Sequence, residues 1–174
     1  SYVAPQNDSQ YYKGEPLIFE GESAKVKSSY FLVGKSNTSS LKITPNSAEN
    51  TLINYVGGNW KTVGETIVWE TGELEAGYYQ LGFSFRQNGV IGSKSYRTLK
   101  IDGEIPFAEA ENLGFDYGDD WQQNVYADDD GKPYLIYLSK GKHEISLSVA
   151  AADISDVRKM LTEAVAEMGD LYVD

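Results

Sequence analysis

The sequence predicts an all-β protein, an antiparallel β-sandwich over residues 17 to 152, followed by one C-terminal amphipathic helix. Three observations predict it. Between Leu17 and Ala150 the chain is a succession of short β-type segments broken by Gly, Asn and Asp, the punctuation expected of an antiparallel sandwich or barrel. Within the longest segment, Tyr79, Leu81, Phe83 and Phe85 alternate with Tyr78, Gln80, Gly82 and Ser84, the period of a strand with one buried face. No alternation of strands with helices is visible, which argues against a parallel sheet.

Taken in order, residues 1 to 16 (SYVAPQNDSQYYKGEP) are polar, contain two prolines and lack a period. They read as a linker or N-terminal arm, with Tyr11 and Tyr12 available to pack back on the body. The β segments follow: LIFE (17 to 20), SYFLV (29 to 33), SLKIT (40 to 44), TLINYV (51 to 56), ETIVWETG (65 to 72), GYYQLGFSF (77 to 85), SYRTLKID (95 to 102), QNVYA (123 to 127), PYLIYL (133 to 138) and KHEISLSVA (142 to 150). Ile67 and Trp69 share a face of their segment, so Trp69 is read as core. In the last segment His143, Ile145, Leu147 and Val149 share one face. That places His143 at the start of an inward or half-buried row, a structural position rather than a ligand or base.

Turn chemistry supports these boundaries. Gly77 and Gly141 each stand just before a strand, and Asp102-Gly103 is a tight-turn pair that takes positive φ at little cost. The DDDG run at 128 to 131 lacks the further acceptors and the final Glu of an EF-hand loop and reads as a solvated acidic turn. From Asp153, residues Ile154, Val157, Leu161, Val165, Met168 and Leu171 repeat at three and four, the stripe of an amphipathic helix over residues 153 to 174 capped by Asp153. That helix either lies across the sandwich or begins the next domain of a longer protein.

Composition narrows function. The chain has 174 residues, 41% of them hydrophobic, and a formal net charge of -11, so a phosphate backbone or an anionic membrane surface is disfavoured as its partner. No apolar run is long enough to insert directly in a membrane as a helix. The serine start is expected of an excised segment or processed product. Cysteine is absent and His143 is the sole histidine, which removes thiolate chemistry and histidine-rich metal sites. No nucleophile elbow, P-loop, HExxH or GxGxxG pattern is present, and acid pairs such as Asp119-Asp120 read as solvated surface rather than a glycosidase dyad. The chain is therefore expected not to be an enzyme.

The unusual feature is the aromatic and amide inventory: 13 Tyr, 6 Phe and 3 Trp, many beside Asn, Gln or Arg in turn-rich stretches. A sugar ring offers apolar C–H faces and many hydroxyls, matched by an aromatic platform with a few convergent polar groups. Trp60 and Trp121, at polar junctions, are the candidate platforms; Arg86, Gln87, Asn88 and Tyr96 are the candidate polar contacts. Arg97 shares a strand face with Leu99 and Ile101 and must be paired or hydrogen-bonded there, with Glu109 or Glu111 as candidate partners.

The order GYYQLGFSFRQN, SYRTLKIDGEIPF, FDYGDDW and KPYLIYLSKGKHEISLSV resembles the galactose-binding-like β-sandwich of carbohydrate-binding modules. More narrowly, it resembles the sandwich domain of bacterial extracellular solute-binding lipoproteins that accompany carbohydrate ABC transporters. The resemblance implies a jelly roll at the cell envelope, loops offered to a glycan, and neighbouring domains of a multidomain surface protein as partners. Some related modules hold a structural calcium ion through an acidic start to the first strand, whose counterpart here is Glu20-Gly21-Glu22. The resemblance thus implies Glu20 and Glu22 as metal ligands, with the central glycine a departure from the pattern. Three functions follow: a non-catalytic glycan-binding module, a structural or interaction domain of a sugar-transport lipoprotein, and, with least support, a small glycan-active enzyme.

Overall fold

A computed structural model describes residues 11–35, 55–56, 59–89, 91–128 and 130–151. Its strands are β1 (Val26–Lys27), β2 (Gly34–Lys35), β3 (Tyr55–Val56), β4 (Thr66–Glu70), β5 (Gly77–Gln80), β6 (Gly82–Phe85), β7 (Ser95–Ile101), β8 (Leu113–Phe115), β9 (Gln122–Val125), β10 (Leu135–Leu138) and β11 (Glu144–Val149). All pairings between these strands are antiparallel.

One layer is a five-stranded sheet in the order β1-β4-β11-β7-β8. Its centre is fixed by the double register of β11, whose Leu147 lies opposite Ile67 of β4 and Leu99 of β7. Those three side chains face inward and are almost wholly removed from water, Ile67 at 0% and Leu99 at 1% exposure. The second layer is carried by the 77–85 stretch, which pairs with β10 through β5 and with β9 through β6. A ten-residue step from Val125 to Leu135 faces a two-residue step from Gly82 to Gln80. The extra residues leave the sheet as an excursion closed by the Tyr134 N–H on the Tyr126 carbonyl and by the Asp128 N–H on Lys132. The core between the layers joins Leu99, Ile101, Leu113, Phe115, Ile136 and Leu147, with Trp60, Trp69 and Phe83 packed against it.

Arrival at this fold is local in several places. Asp102 (φ 51) and Gly103 (φ 87) occupy the two central positions of a reversal, and Ile101 and Glu104 exchange both backbone hydrogen bonds across it, which is the two-residue turn the sequence pair favours. The segments 17 to 20 and 29 to 33, expected as strands, are irregular in the structure. Leu17, Ile18, Phe19, Tyr30, Phe31 and Val33 are exposed, and Leu32 alone of these two runs is buried. The expected strand at 40 to 44 and most of 51 to 56 lie outside the described residues.

The fold class needs one correction. An all-β antiparallel sandwich is what forms, but the C-terminal amphipathic helix is not part of it: the described residues contain no helix of seven residues, only 3-10 turns at Gly21–Ser23 and Ala108–Asn112. The stretch assigned to that helix, residues 153 to 174, lies outside the described residues. The periodicity that suggested it is a local pattern, and such a pattern forms a stable helix only when packing covers its apolar stripe.

Candidate functional site

A cleft of about 1220 Å³ opens beside the 77–88 stretch, and Trp60, Arg86, Gln87, Asn88 and Trp121 all line it. The fold thus brings five of the six expected sugar contacts to one cavity. Tyr96 lies elsewhere: Arg97, Leu99 and Ile101 of β7 face the core side, so Tyr96, one residue out of phase, faces the opposite side of the five-stranded sheet.

The two tryptophans are held differently. The Trp60 indole N–H donates to the Glu65 carbonyl at 2.9 Å, and its ring supports the Arg97 guanidinium, whose Cζ lies 4.5 Å from the ring centroid. Arg97 in turn donates to the Ser95 hydroxyl (2.8 Å), the Tyr96 carbonyl (2.7 Å) and the Trp60 carbonyl (2.8 Å). No carboxylate pairs with it among the described residues; Glu109 and Glu111 are exposed on their 3-10 turn. Burial pulls the Arg97 pKa down to about 10, so the group stays charged at neutral pH, held by carbonyl dipoles and an indole face rather than by an anion.

Trp121 lines the same cleft from the loop before β9. Arg86, exposed at the end of β6, places its Cζ 5.8 Å from the Trp121 ring centroid. The loop is set by its own carboxylates: Asp120 accepts the Trp121 backbone N–H at 2.8 Å, and the Tyr117 hydroxyl donates to Asp119 at 2.9 Å. That carboxylate raises the Tyr117 pKa. Gln87 is buried and acts as a staple. Its amide donates to the Ser93 carbonyl and accepts from Gly89 N–H, while its backbone carbonyl accepts from Gly118 N–H. Gln87 therefore ties the 86–93 loop to the 116–121 loop, leaving Arg86 and Asn88 exposed on either side of it.

The acidic pair Glu20 and Glu22 lies at a short turn. Glu20 precedes the 3-10 turn Gly21–Ser23 rather than opening a strand. Burial raises the Glu22 pKa, with the Glu20 charge adding to it, and the Glu22 Oε2 atom is buried with no hydrogen-bond partner among the described residues. Calcium takes six to eight oxygens, yet the described residues contain no group of three or more Asp, Glu, His or Cys side chains placed to hold a metal.

One constellation was not anticipated. Asp102, His143 and Ser139 lie in line: His143 Nδ1 is 2.6 Å from Asp102 Oδ2 and Nε2 is 3.5 Å from Ser139 Oγ. It imitates a serine-nucleophile triad but cannot act as one. His143 Nε2 lies 2.9 Å from the Ser139 backbone carbonyl, which only accepts, so Nε2 carries a hydrogen and has no lone pair for the serine proton.

By sequence, no protein-family model and no curated relative matches the chain. By structure, it is similar to a family 35 carbohydrate-binding module from Clostridium thermocellum, at 19% identity and TM-score 0.58, covering 80% of this chain and 90% of that one. Its fold is that of a carbohydrate-binding-module β-sandwich. A cycloisomaltooligosaccharide glucanotransferase from Paenibacillus sp., solved in complex with cycloisomaltoheptaose, is similar at 22% identity and TM-score 0.57. There the match covers 81% of this chain but only 17% of the glucanotransferase.

Proposed function

We propose that the chain is a non-catalytic carbohydrate-binding module acting outside the cell at a bacterial envelope, in a multidomain protein such as a sugar-transport lipoprotein. The observation that carries the reading is the convergence of Trp121, Arg86 and Asn88 on one cleft of a sandwich that resembles a carbohydrate-binding module. An indole face stacks on the C–H face of a pyranose, and the flanking guanidinium and amide take its hydroxyls, which is how a few convergent polar groups orient a ligand on an apolar wall. Trp60 supports the wall of the cleft through Arg97, and Gln87 holds the two loops in place; their part is positioning. Affinity for one sugar unit is modest on this reading, because hydroxyl desolvation offsets much of the hydrogen-bond gain.

The test is titration calorimetry of the chain with cycloisomaltoheptaose, isomalto-oligosaccharides and manno-oligosaccharides, with reducing ends assayed afterwards. Saturable binding that Trp121→Ala abolishes, with no new reducing ends, is the expected result. If a wide glycan screen yields no ligand, the reading fails and the domain is a structural one whose tryptophans serve the loops.

A further inference from the structure

Asn88 is followed by Gly89, and no other asparagine of the chain precedes a glycine. The pair lies just past β6 in irregular backbone, and both residues are exposed. In an Asn-Gly pair the glycine nitrogen easily reaches the preceding side-chain amide, because no Cβ obstructs the approach and the backbone turns freely. The other asparagines among the described residues lack that opening. Asn59, Asn112 and Asn124 precede Trp60, Leu113 and Val125, and Asn124 is held in β9 opposite Phe83.

Neither backbone angle nor space asks for glycine at position 89. Its φ is not left-handed, in contrast to Gly103 in the turn after β7, and a Cβ there would meet only Gln87 Oε1, at 4.0 Å. What restrains the position is a hydrogen bond. Gly89 N–H donates to Gln87 Oε1 at 2.9 Å, and Gln87 is itself buried and donates to the Ser93 carbonyl at 2.8 Å. The nitrogen able to attack Asn88 is held by the residue that staples the two loops.

We propose that Asn88 is a self-modification site in the wall of the cleft, converted by water to aspartate and isoaspartate at a pace set by Gln87. The Gly89 backbone nitrogen, losing its proton to hydroxide, attacks Asn88 Cγ; the new N–C bond closes a succinimide ring as the Cγ–Nδ2 bond breaks and Nδ2 leaves as ammonia. Water then opens the ring. Addition at the side-chain carbonyl gives aspartate, addition at the backbone carbonyl gives isoaspartate, and nothing is oxidised or reduced. For the first step Gly89 N–H must leave Gln87 Oε1 and the backbone must turn, so the staple slows a reaction that the bare sequence favours. Both products change the cleft that Asn88 lines. An amide NH₂ donates hydrogen bonds and a carboxylate only accepts them, while isoaspartate carries the chain through an extra methylene that draws Gly89 away from Gln87. The chemistry is independent of the glycan reading; its effect on sugar binding rests on that reading.

The test is incubation of the chain in mildly alkaline buffer, with peptide mapping by mass spectrometry to read the acid formed at each asparagine and chromatography to separate aspartate from isoaspartate. Position 88 should convert ahead of 59, 112 and 124, giving both acids. Gly89→Ala, for which there is room, should slow position 88 about tenfold, equivalent to about 1.4 kcal/mol of barrier, and Gln87→Ala should speed it by a similar factor. Melting curves establish that each variant is folded when assayed. Conversion at 88 no faster than at the other three positions, or unaffected by Gly89→Ala, overturns the site; an unchanged rate in Gln87→Ala overturns the control by Gln87. Calorimetry with cycloisomaltoheptaose on fresh and converted protein reads the consequence: weaker binding after conversion is expected, and equal affinity refutes the effect on the cleft. A fresh chain that binds no glycan overturns the binding reading, while the mass data still decide the modification.

Discussion

The imidazole of His143 is clamped between two acceptors, the Asp102 carboxylate 2.6 Å from Nδ1 and the Ser139 carbonyl 2.9 Å from Nε2. Neither the ionised carboxylate nor the carbonyl can donate, so this geometry favours hydrogen on both ring nitrogens, the imidazolium form. Around it the backbone is tied as well: His143 N–H donates to the Thr71 hydroxyl, Thr71 N–H donates to the His143 carbonyl, and Glu144 N–H donates to the second oxygen of Asp102. The cluster joins the end of β4, the turn after β7 and the start of β11.

The Asp102 bond raises the His143 pKa, helped by the Ser139 carbonyl. Burial works to raise the Asp102 pKa, but the bonds from His143 and the Glu144 N–H outweigh it and the net direction is down. The signs give a window. His143 contributes stability fully below its unfolded pKa, about 6.5, and loses it as pH rises through its folded value; Asp102 contributes above about 3.9 and loses it as pH falls through its folded value. Asp102→Asn should therefore cost most between about pH 4 and 6.5, on the order of 1 kcal/mol after discounting for the half-exposed carboxylate, and progressively less as pH rises through the folded value of His143. Urea unfolding across that range checks it. Because His143 is the sole histidine, its ring proton resonances give the titration directly, and a midpoint at or below the usual histidine value would refute the clamp.

Arg97 gives a second prediction. Its guanidinium satisfies the Ser95 hydroxyl and two carbonyls and covers the Trp60 ring, so Arg97→Ala should cost about 2–3 kcal/mol through lost bonds and an uncovered indole. Arg97→Lys should fall between, since an ammonium keeps the charge but not the planar fork. Equilibrium unfolding measures both, and the tryptophan emission of Arg97→Ala should shift to the red. A cost under about 0.5 kcal/mol for Arg97→Ala would mean that the bonds contribute nothing.

How far the sequence carried these features depends on the range of the interactions. The alternation of Tyr79, Leu81, Phe83 and Phe85 and the Asp102-Gly103 turn were legible because each is set by near neighbours. So was the inward placement of His143 and its structural role. The partner of Arg97 was not: acids 12 and 14 residues away were the visible candidates, while the real acceptors include a carbonyl 37 residues off. Strand β8, Leu113–Phe115, was hidden by its brevity and its central glycine, although its outer residues are buried. The break at Leu81 arises because β9 and β10 leave and rejoin the sheet there, which only the pairing reveals. In the cleft, the residue types were legible, whereas the division between Gln87 as staple and Asn88 as exposed neighbour depends on which carbonyl each amide meets.

Trp69 lines the core side of β4 next to the fully buried Ile67, and its indole N–H donates to the Gly21 carbonyl at 2.9 Å. Trp69→Ala should cost about 3 kcal/mol, the lower end for a buried aromatic because Trp69 is only partly buried. Trp69→Phe keeps most of the packing and loses the hydrogen bond, so about 1 kcal/mol is expected. Unfolding free energies of the pair decide between packing and hydrogen bonding as the larger share; equal costs would put the weight on the Gly21 bond.

Trp60 and Trp121 line the same cleft and should nevertheless fail differently when truncated. Trp60 is locked by its bond to the Glu65 carbonyl and supports a half-buried cation, so Trp60→Ala removes packing and leaves Arg97 without its aromatic floor. A loss of about 2–3 kcal/mol in unfolding free energy is expected, with sugar binding weakened only as the cleft loosens. Trp121 rides on a loop that Gln87, Asp119 and Asp120 organise through backbone and hydroxyl bonds independent of its ring. Trp121→Ala should change stability by less than about 1 kcal/mol and abolish binding. Thermal melts paired with calorimetry on both variants separate the roles. Destabilisation by Trp121→Ala together with intact binding would reverse them, making Trp60 the platform and Trp121 the support.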